Sequence, residues 1–277
     1  IDLEHLDFYK TKNKIITAFK KFILNLPFYG CSVVCIDNTN LRNLIKKIKT
    51  RKIITYSKNE NSDIIIKSIK KNINNTEFSL YFKKGIIKNI KGKKRFTTTL
   101  LGDHNILNAT AAIIVSLITG ISLTKINSSL NSFQGVKRRF SFLGKVNKAK
   151  IYDDYAHHPT EIKASYEIAK QISRKKIIVL FQPHRFSRTK ILYADFIKIL
   201  KKIQILYVLD IYPAGEKPIK SINSKGLVNR LKKTNKKVYY LNNKTNLRLV
   251  LKPYFEQENT IVFMGAGSIT YMAQELF

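Results

Sequence analysis

The sequence predicts an α/β protein in two parts, of which the second is a doubly wound, mostly parallel sheet. From residue 150 onward, short apolar runs alternate with stretches of helical period. Residues 31–56 show the same alternation on a smaller scale. Between residues 62 and 100 the alternation stops and strand-like runs follow one another directly, which is typical of antiparallel strands.

The first part is justified element by element. Residues 1–9 are predicted to form a strand end and a loop, and Thr11 is suited to cap the helix that follows. The pattern then predicts helices over 11–26 and 41–48, strands over 31–36 and 52–56, antiparallel strands over 64–69, 78–82 and 97–101, and helices over 105–119 and 123–130. The two early strands are connected to each other by a helix, which indicates a parallel α/β sheet.

The second part repeats one unit. Strands are predicted near 150–154, 176–181, 204–210, 237–241 and 260–264, and helices near 160–173, 189–202, 222–233, 245–255 and 267–276. Composition changes little along the chain, so the predicted domains, 1–130 and 131–277, are separated on topology alone.

The net charge of +33 would ordinarily suggest nucleic acid or an anionic membrane as a partner. The cations, however, are mostly Lys and are spread along the chain among abundant Ile and Asn, a pattern typical of drift in an AT-rich genome. No nucleic-acid-binding motif or basic tail accompanies them. We therefore expect no specific nucleic-acid partner, although salt-sensitive adhesion to polyanions is expected.

The two cysteines, Cys31 and Cys35, do not have CxxC spacing and are expected to be buried thiols in a reducing compartment. No apolar run is long enough to span a membrane, and no signal peptide is recognisable. We expect a soluble cytoplasmic protein. Because the chain starts with Ile1 rather than Met, in an acidic stretch, it is expected to be a cut from a longer protein.

The stretch 151–161 carries two carboxylates, a tyrosine and two of the five histidines between a predicted strand and a helix. In open α/β sheets this carboxyl end of a strand is where ligands bind. A capped turn with surface polar residues is the alternative. The stretch 181–189 follows the next strand, so its His184, Arg185 and Arg188 should lie at the same edge, with Asp210, Tyr212 and Glu216 after the third strand.

Four further motifs are ambiguous. Asn105 and Asn108 share one helix face and could read the edge of a nucleobase, or simply cap the helix. Arg138 and Arg139 follow Gly135 and are suited to phosphate, although the chain is rich in cations throughout.

Gly265-Ala266-Gly267 is a weak phosphate signal, and tight strand-to-helix packing explains it better. His5 lies among Asp2, Glu4 and Asp7 and could be a metal ligand, although a lone terminal histidine more often is not.

Taken together, the motifs resemble the Mur ligases, the amide-forming ligases of peptidoglycan synthesis. The resemblance runs in family order through the whole chain and rests on the segments 3–7, 25–30, 104–109, 133–140, 153–161, 182–189, 212–216 and 265–267.

The resemblance implies a Mur-type central ATPase domain, present here only in its C-terminal part, followed by a Rossmann-like C-terminal domain. It implies that ATP activates the lactyl carboxylate of UDP-N-acetylmuramate as an acyl phosphate, which L-alanine then attacks, with Mg²⁺ as a further cofactor.

The same resemblance assigns roles to individual residues. His5 is implied in the Mg²⁺ environment, and Asn105 and Asn108 at the adenine. Arg139 is implied at the ATP phosphates and Asp154 at the ribose. The muramoyl and alanine side is implied for the set Tyr155, His157, His184, Arg185 and Arg188.

The chain departs from the family pattern in two respects. It contains no G-x-x-x-x-G-K-[ST] phosphate loop, and the family's Mg²⁺-binding Glu upstream of the matched region is missing as well. The resemblance therefore implies an incomplete ligase, whose N-terminal part is a missing partner. The alternatives are a murein tripeptide ligase of cell-wall recycling, a catalytically dead nucleotide-binding remnant, and, from charge alone, a nucleic-acid-binding protein.

Overall fold

The structure is a computed structural model that describes residues 1–4, 6–234 and 237–277. It divides into two compact units, Ile1–Gln134 and Gly135–Phe277, and each has its own sheet. Both units combine strands with covering helices, so the predicted α/β class is confirmed. The division falls after Gln134, whereas the sequence analysis placed the boundary near residue 130.

The elements of unit 1 follow in chain order. They are α1 (Leu6–Tyr9), α2 (Lys12–Leu24), β1 (Cys31–Cys35), α3 (Thr39–Ile45), β2 (Lys52–Ser57), β3 (Ile64–Lys71), β4 (Thr76–Ile87), β5 (Ile90–Thr98), α4 (Asp103–Ile118) and α5 (Leu123–Ser132).

The sheet of unit 1 has the order β1-β2-β3-β4-β5. The first three strands pair in parallel, and the last three pair in antiparallel fashion. Helix α4 packs on this sheet against β1, β2 and β4. Its Ile106 and Ile114 are fully buried in the same cluster as Leu80 and Phe82, and this burial is what holds α4 in place.

The elements of unit 2 are β6 (Ser141–Val146), β7 (Ala149–Asp154), α6 (Pro159–Ile172), β8 (Ile177–Phe181), α7 (Phe186–Ile191), α8 (Tyr193–Leu200), β9 (Ile205–Val208), α9 (Ser224–Lys232), β10 (Val238–Tyr240), α10 (Leu247–Leu251), a 3₁₀ turn (Lys252–Tyr254), β11 (Thr260–Met264) and α11 (Ile269–Gln274).

The sheet of unit 2 has the order β10-β9-β8-β11-β7-β6. All pairs are parallel except the last, in which β6 runs antiparallel to β7. The carboxyl ends of β7, β8, β9 and β11 therefore open on one edge, which is the edge where the sequence analysis expects ligands.

Strand β8 shows why this sheet is covered on both faces. Its five residues are all buried, and they alternate between two core clusters. Ile177, Val179 and Phe181 pack with α6, α8 and α9, whereas Ile178 and Leu180 pack with α10 and α11. A run that is apolar at every position is typical of a parallel strand between two helical layers.

Asparagine caps three of the helices. Asn38, Asn223 and Asn246 precede α3, α9 and α10, and each accepts a hydrogen bond from a backbone amide in the first turn. A short amide side chain is well suited to this position, because its oxygen reaches the amide groups that the helix leaves unpaired.

The structure differs from the predicted elements at several points. Residues 6–9 are helical, where a strand end and loop were predicted. The helix predicted over 189–202 begins at Phe186 and breaks at Leu192 into α7 and α8. The strand predicted over 97–101 is the end of β5, which starts at Ile90, and β6 was not predicted.

Candidate active site

The strand-to-helix junction after β7 is held from inside by Asp154. One carboxylate oxygen accepts a hydrogen bond from the backbone amide of Ala156 at 2.9 Å, and the other accepts one from the hydroxyl of Ser165 at 2.5 Å. The side chain is buried, and this burial raises the pKa of Asp154 to about 6. Ser165 lies on α6 and was not predicted, since nothing in its local sequence links it to the strand.

The start of α6 is a capping box. Glu161 accepts hydrogen bonds from the amides of His157 and His158, and the Nδ1 atom of His158 accepts one from the amide of Thr160. Burial alone would raise the pKa of Glu161, but these hydrogen bonds and the nearby His157 and Arg139 charges lower it instead. Capping therefore explains part of the polar cluster, as the alternative prediction held.

The rings of Tyr155, His157 and His184 form a row beside the capping box. The Tyr155 and His157 rings lie edge to face with centroids 5.1 Å apart, and the His157 and His184 rings lie 5.7 Å apart. His157 donates through Nδ1 to the carbonyl oxygen of Tyr155 at 2.8 Å, because a carbonyl can only accept. Side chains that follow β7 and β8 therefore lie close together, as predicted.

Arg188 contacts His184 from the first turns of α7. Its Nη1 atom lies 2.9 Å from Nδ1 of His184 and 3.2 Å from the carbonyl oxygen of the same residue. Burial, followed by the charges of Arg188, His157 and Arg185, lowers the pKa of His184 to about 4. The imidazole is therefore neutral near pH 7 and sits among cations.

The loop after β9 is fastened to the loop after β8. His184 and Tyr212 form a parallel β-bridge. The backbone amide of Tyr212 donates to the carbonyl oxygen of Pro183, and the amide of Arg185 donates to the carbonyl oxygen of Tyr212, both at 2.8 Å. The ring of Tyr212 stacks on His184 with centroids 5.5 Å apart and planes 14° apart. Asp210 does not join this cluster, because it accepts from the Tyr240 hydroxyl and the Asn243 amide instead.

Arg138 and Arg139 separate in role. Arg138 is half-buried, donates to the carbonyl oxygen of Gly265 at 2.8 Å, and stacks over Tyr155 with 4.7 Å between its guanidinium carbon and the ring centroid. Its Nε atom lies 3.7 Å from the buried carboxylate of Asp153. Arg139 is exposed and lies 3.5 Å from Glu161. Arg139 therefore remains available at the surface, whereas Arg138 ties the loops together.

The Gly265-Ala266-Gly267 turn is explained by packing. A Cβ atom on Gly267 would lie 2.5 Å from both Oε1 of Gln182 and the ring of Tyr212. Gln182 is fully buried, and the same Oε1 atom accepts a hydrogen bond from the amide of Ile269. Glycine is required here because two neighbouring loops approach the backbone closely.

In unit 1, Asn105 and Asn108 lie one turn apart at the start of α4. Asn108 is exposed, and Asn105 donates from its amide nitrogen to the carbonyl oxygen of Leu101 at 2.8 Å. This bond restrains the Asn105 side chain and leaves its oxygen to act as an acceptor. The metal prediction for His5 lies outside the described residues, and the described residues contain no group of three or more possible metal ligands from His, Cys, Asp and Glu.

Two sequence families match the chain. The Mur ligase middle domain matches residues 1–116, and the glutamate ligase domain of the Mur ligases matches residues 138–267. In the part of the chain that the structure describes, no helix is long and apolar enough to cross a membrane.

Curated relatives match the whole chain. The UDP-N-acetylmuramate–L-alanine ligase of Rickettsia felis is 41% identical over 285 residues, which cover 100% of this chain and 59% of the relative. The corresponding ligase of Rickettsia typhi is also 41% identical, with 57% of its length covered. The chain therefore spans less than three fifths of the length of these relatives.

Solved structures share the fold. The UDP-N-acetylmuramate–alanine ligase MurC of Thermotoga maritima superposes with a TM-score of 0.77 at 24% identity, over 99% of this chain and 56% of that one. MurF of Acinetobacter baumannii gives 0.77 at 17% identity over 100% and 58%, and the murein peptide ligase mpl of Psychrobacter arcticus gives 0.66 at 21% identity over 95% and 53%.

Proposed function

Since the chain belongs to the Mur ligase family, we propose that it is the central and C-terminal part of an enzyme that joins L-alanine to the lactyl carboxylate of UDP-N-acetylmuramate. The observation that carries the proposal is the cluster of His157, His184, Arg185 and Arg188 at the carboxyl edge of the unit 2 sheet. Guanidinium groups and imidazoles grouped at such an edge suit a small amino acid that carries its own carboxylate.

The proposed reaction defines what these side chains do. ATP supplies the phosphoryl group that activates the lactyl carboxylate. The amine of L-alanine then attacks the activated carbon, the new C–N bond forms, and inorganic phosphate leaves. Arg185 and Arg188 would bind the carboxylate of the incoming L-alanine, and Tyr155 with His157 would border the amine, so that the two reactants are held in one orientation.

Taken one by one, the residues that the resemblance assigns to ATP have side chains of suitable chemistry. Asn105 retains an acceptor oxygen that matches the exocyclic amino group of adenine, and Asn108 is exposed on the same face of α4. Asp154 uses one accepting position on each oxygen, so each can accept a further hydrogen bond from a ribose hydroxyl. The exposed guanidinium of Arg139 suits the phosphates.

For magnesium, the described residues contain no group of three or more possible ligands from His, Cys, Asp and Glu. Its assignment to His5 rests on the resemblance alone, and we derive no step through the metal. Cytoplasmic location and the absence of a specific nucleic-acid partner likewise remain part of the proposal.

A hybrid protein tests the proposal. The part of the Rickettsia felis ligase that precedes its match to this chain is joined to residues 1–277, and phosphate release is measured with ATP, Mg²⁺, UDP-N-acetylmuramate and L-alanine. We expect release that requires both substrates and that falls at least 10²-fold in Arg188→Gln, whose amide cannot replace a charged bidentate donor. Lys190→Gln, an exposed neighbour on α7, is the matched control.

The outcomes separate the alternatives. Release with a murein tripeptide but not with L-alanine would favour the recycling ligase. A folded hybrid that binds nucleotide but releases no phosphate would favour the dead remnant. DNA binding with a measured sequence preference, rather than salt-sensitive adhesion, would support the hypothesis of a nucleic-acid-binding protein.

A further inference from the structure

Helix α7 is capped by a residue from another loop. The residue that precedes it, Arg185, has a φ of +70° and supplies no side-chain cap. Glu216, which follows β9, supplies the cap instead. One of its carboxylate oxygens accepts from the amide of Ser187 at 2.9 Å, and the other accepts from the Ser187 hydroxyl at 2.5 Å.

This two-point contact fixes the first turn of α7. A carboxylate at the amino end of a helix is favoured by the unpaired amides there. Burial by itself would raise the pKa of Glu216, but the Ser187 hydrogen bonds and the Arg185 charge lower it below its ordinary value. Glu216 therefore stays ionised and holds α7 against the loop after β9.

Arg188, the residue after Ser187 on α7, determines which ring nitrogen of His184 carries the proton. Arg188 donates from Nη1 to Nδ1 of His184 at 2.9 Å. A guanidinium can only donate, so Nδ1 must accept and the ring proton must lie on Nε2. The stacked ring of Tyr212, from the same loop as Glu216, restricts rotation of the imidazole.

We propose that Glu216 is a positioning residue, which acts through α7 and Arg188 to hold His184 as the neutral Nε2–H tautomer. His184 then presents a hydrogen-bond donor at this edge and cannot accept a proton at Nε2. His157 differs at the same ring position, because its Nδ1 carries a proton that it donates to the carbonyl oxygen of Tyr155. The inference deepens the proposed function, since it assigns different proton states to two histidines of the same site.

The test reads the tautomer directly. The 277-residue chain is labelled with ¹⁵N-histidine, and long-range ¹H–¹⁵N spectra are recorded at pH 7. The chain has only five histidines, and His184→Gln identifies the signal of His184. We expect the signal of a neutral ring that carries its proton on Nε2.

Four variants then separate positioning from stability. Glu216→Ala should lower the ratio of the Nε2–H to the Nδ1–H form of His184 roughly fivefold, the effect of losing about one hydrogen bond. Ser187→Ala, which removes only the hydroxyl contact, should shift the ratio less. Glu216→Gln should keep the ratio, because its amide can accept from the Ser187 amide and donate to the Ser187 hydroxyl. Glu275→Ala, an exposed residue after α11, is the control.

Two results would overturn the proposal. One is a wild-type His184 that carries its proton on Nδ1. The other is an unchanged tautomer ratio in both Glu216→Ala and Ser187→Ala while the signals of the remaining histidines stay in their native positions. If Glu216→Ala unfolds the chain, Ser187→Ala alone decides. The measurement needs neither ATP nor turnover, so its failure leaves the ligase proposal standing, and an inactive hybrid leaves the tautomer assignment standing.

Discussion

At the scale of single residues, the polar side chains of the candidate site mostly form hydrogen bonds with other residues of the protein. Asp154 illustrates this. Its two oxygens bind Ala156 and Ser165, so the side chain both shapes the junction and remains able to accept from a ligand. The sequence alone predicted Asp154 as a site residue, but it could not reveal Ser165, because that contact arises only when α6 packs on the sheet.

The buried Asp154 predicts a pH dependence of stability. Its pKa is raised from 3.8 to about 6, so between these values the folded protein holds a proton that the unfolded chain has lost. The stabilising effect is complete below about pH 4 and is lost as the pH rises through about 6. Relative to Asp154→Asn, the wild-type free energy of unfolding should fall by about 3 kcal/mol between pH 4 and 7.

Urea unfolding of both proteins across this pH range measures the effect, and the exposed Asp195→Asn on α8 serves as the control. A difference between wild type and Asp154→Asn that stays constant with pH would contradict the assignment.

A second prediction concerns Gly267. In Gly267→Ala the new methyl group meets Gln182 and Tyr212 at 2.5 Å, so one loop must move. Unit 2 should lose about 1–3 kcal/mol, as is typical of overpacking. The measurement is amide hydrogen exchange of β7, β8 and β11 in the full chain. Gly226→Ala is the matched control, since its methyl group would have ordinary contacts inside α9 and should not destabilise. Equal effects of the two changes would contradict this account.

At the scale of elements, most helices and strands were predictable because their apolar residues recur with a clear period. Strand β6 was missed because Gly144 interrupts it and shifts its pairing with β7. The break at Leu192 was missed because the helical pattern continues across it, whereas the backbone of Leu192 leaves the helical conformation. The contact of Tyr212 with His184 was likewise beyond sequence patterns, since it depends on two loops meeting.

The capping box of α6 carries a prediction of its own. Glu161→Ala removes the acceptor for the amides of His157 and His158 at the start of the helix, and should cost about 1–2 kcal/mol. Thermal unfolding of the full chain measures this. Glu167→Ala, on the same helix but exposed and paired with the exposed Lys170, should change stability by well under 1 kcal/mol. A larger loss in Glu167→Ala than in Glu161→Ala would refute the role of the box.

At the scale of the whole molecule, we expect the two units to differ in how well they fold alone. Unit 2 encloses its sheet between two helical layers, and its core clusters are continuous. We predict that residues 131–277 fold by themselves, whereas residues 1–130 are marginal. Calorimetry of the two separately expressed pieces tests this, and a cooperative melt of 1–130 alone would count against it.

The 277-residue chain is also predicted to have no ligase activity by itself. It contains no G-x-x-x-x-G-K-[ST] loop, whose lysine and backbone amides bind the ATP phosphates. No phosphate release is therefore expected from the 277-residue chain with UDP-N-acetylmuramate, L-alanine, ATP and Mg²⁺, whereas the hybrid should release it under the same conditions. Turnover by the chain alone would refute this prediction.

The asparagine caps of α3, α9 and α10 give the composition a structural meaning. A genome that drifts towards AT-rich codons supplies asparagine at random positions, and in a helix interior or a strand most such changes are harmful. At Asn38, Asn223 and Asn246 the same mutation supplies the side chain that a helix start favours. At these three positions, therefore, an asparagine-rich composition serves the stability of the fold.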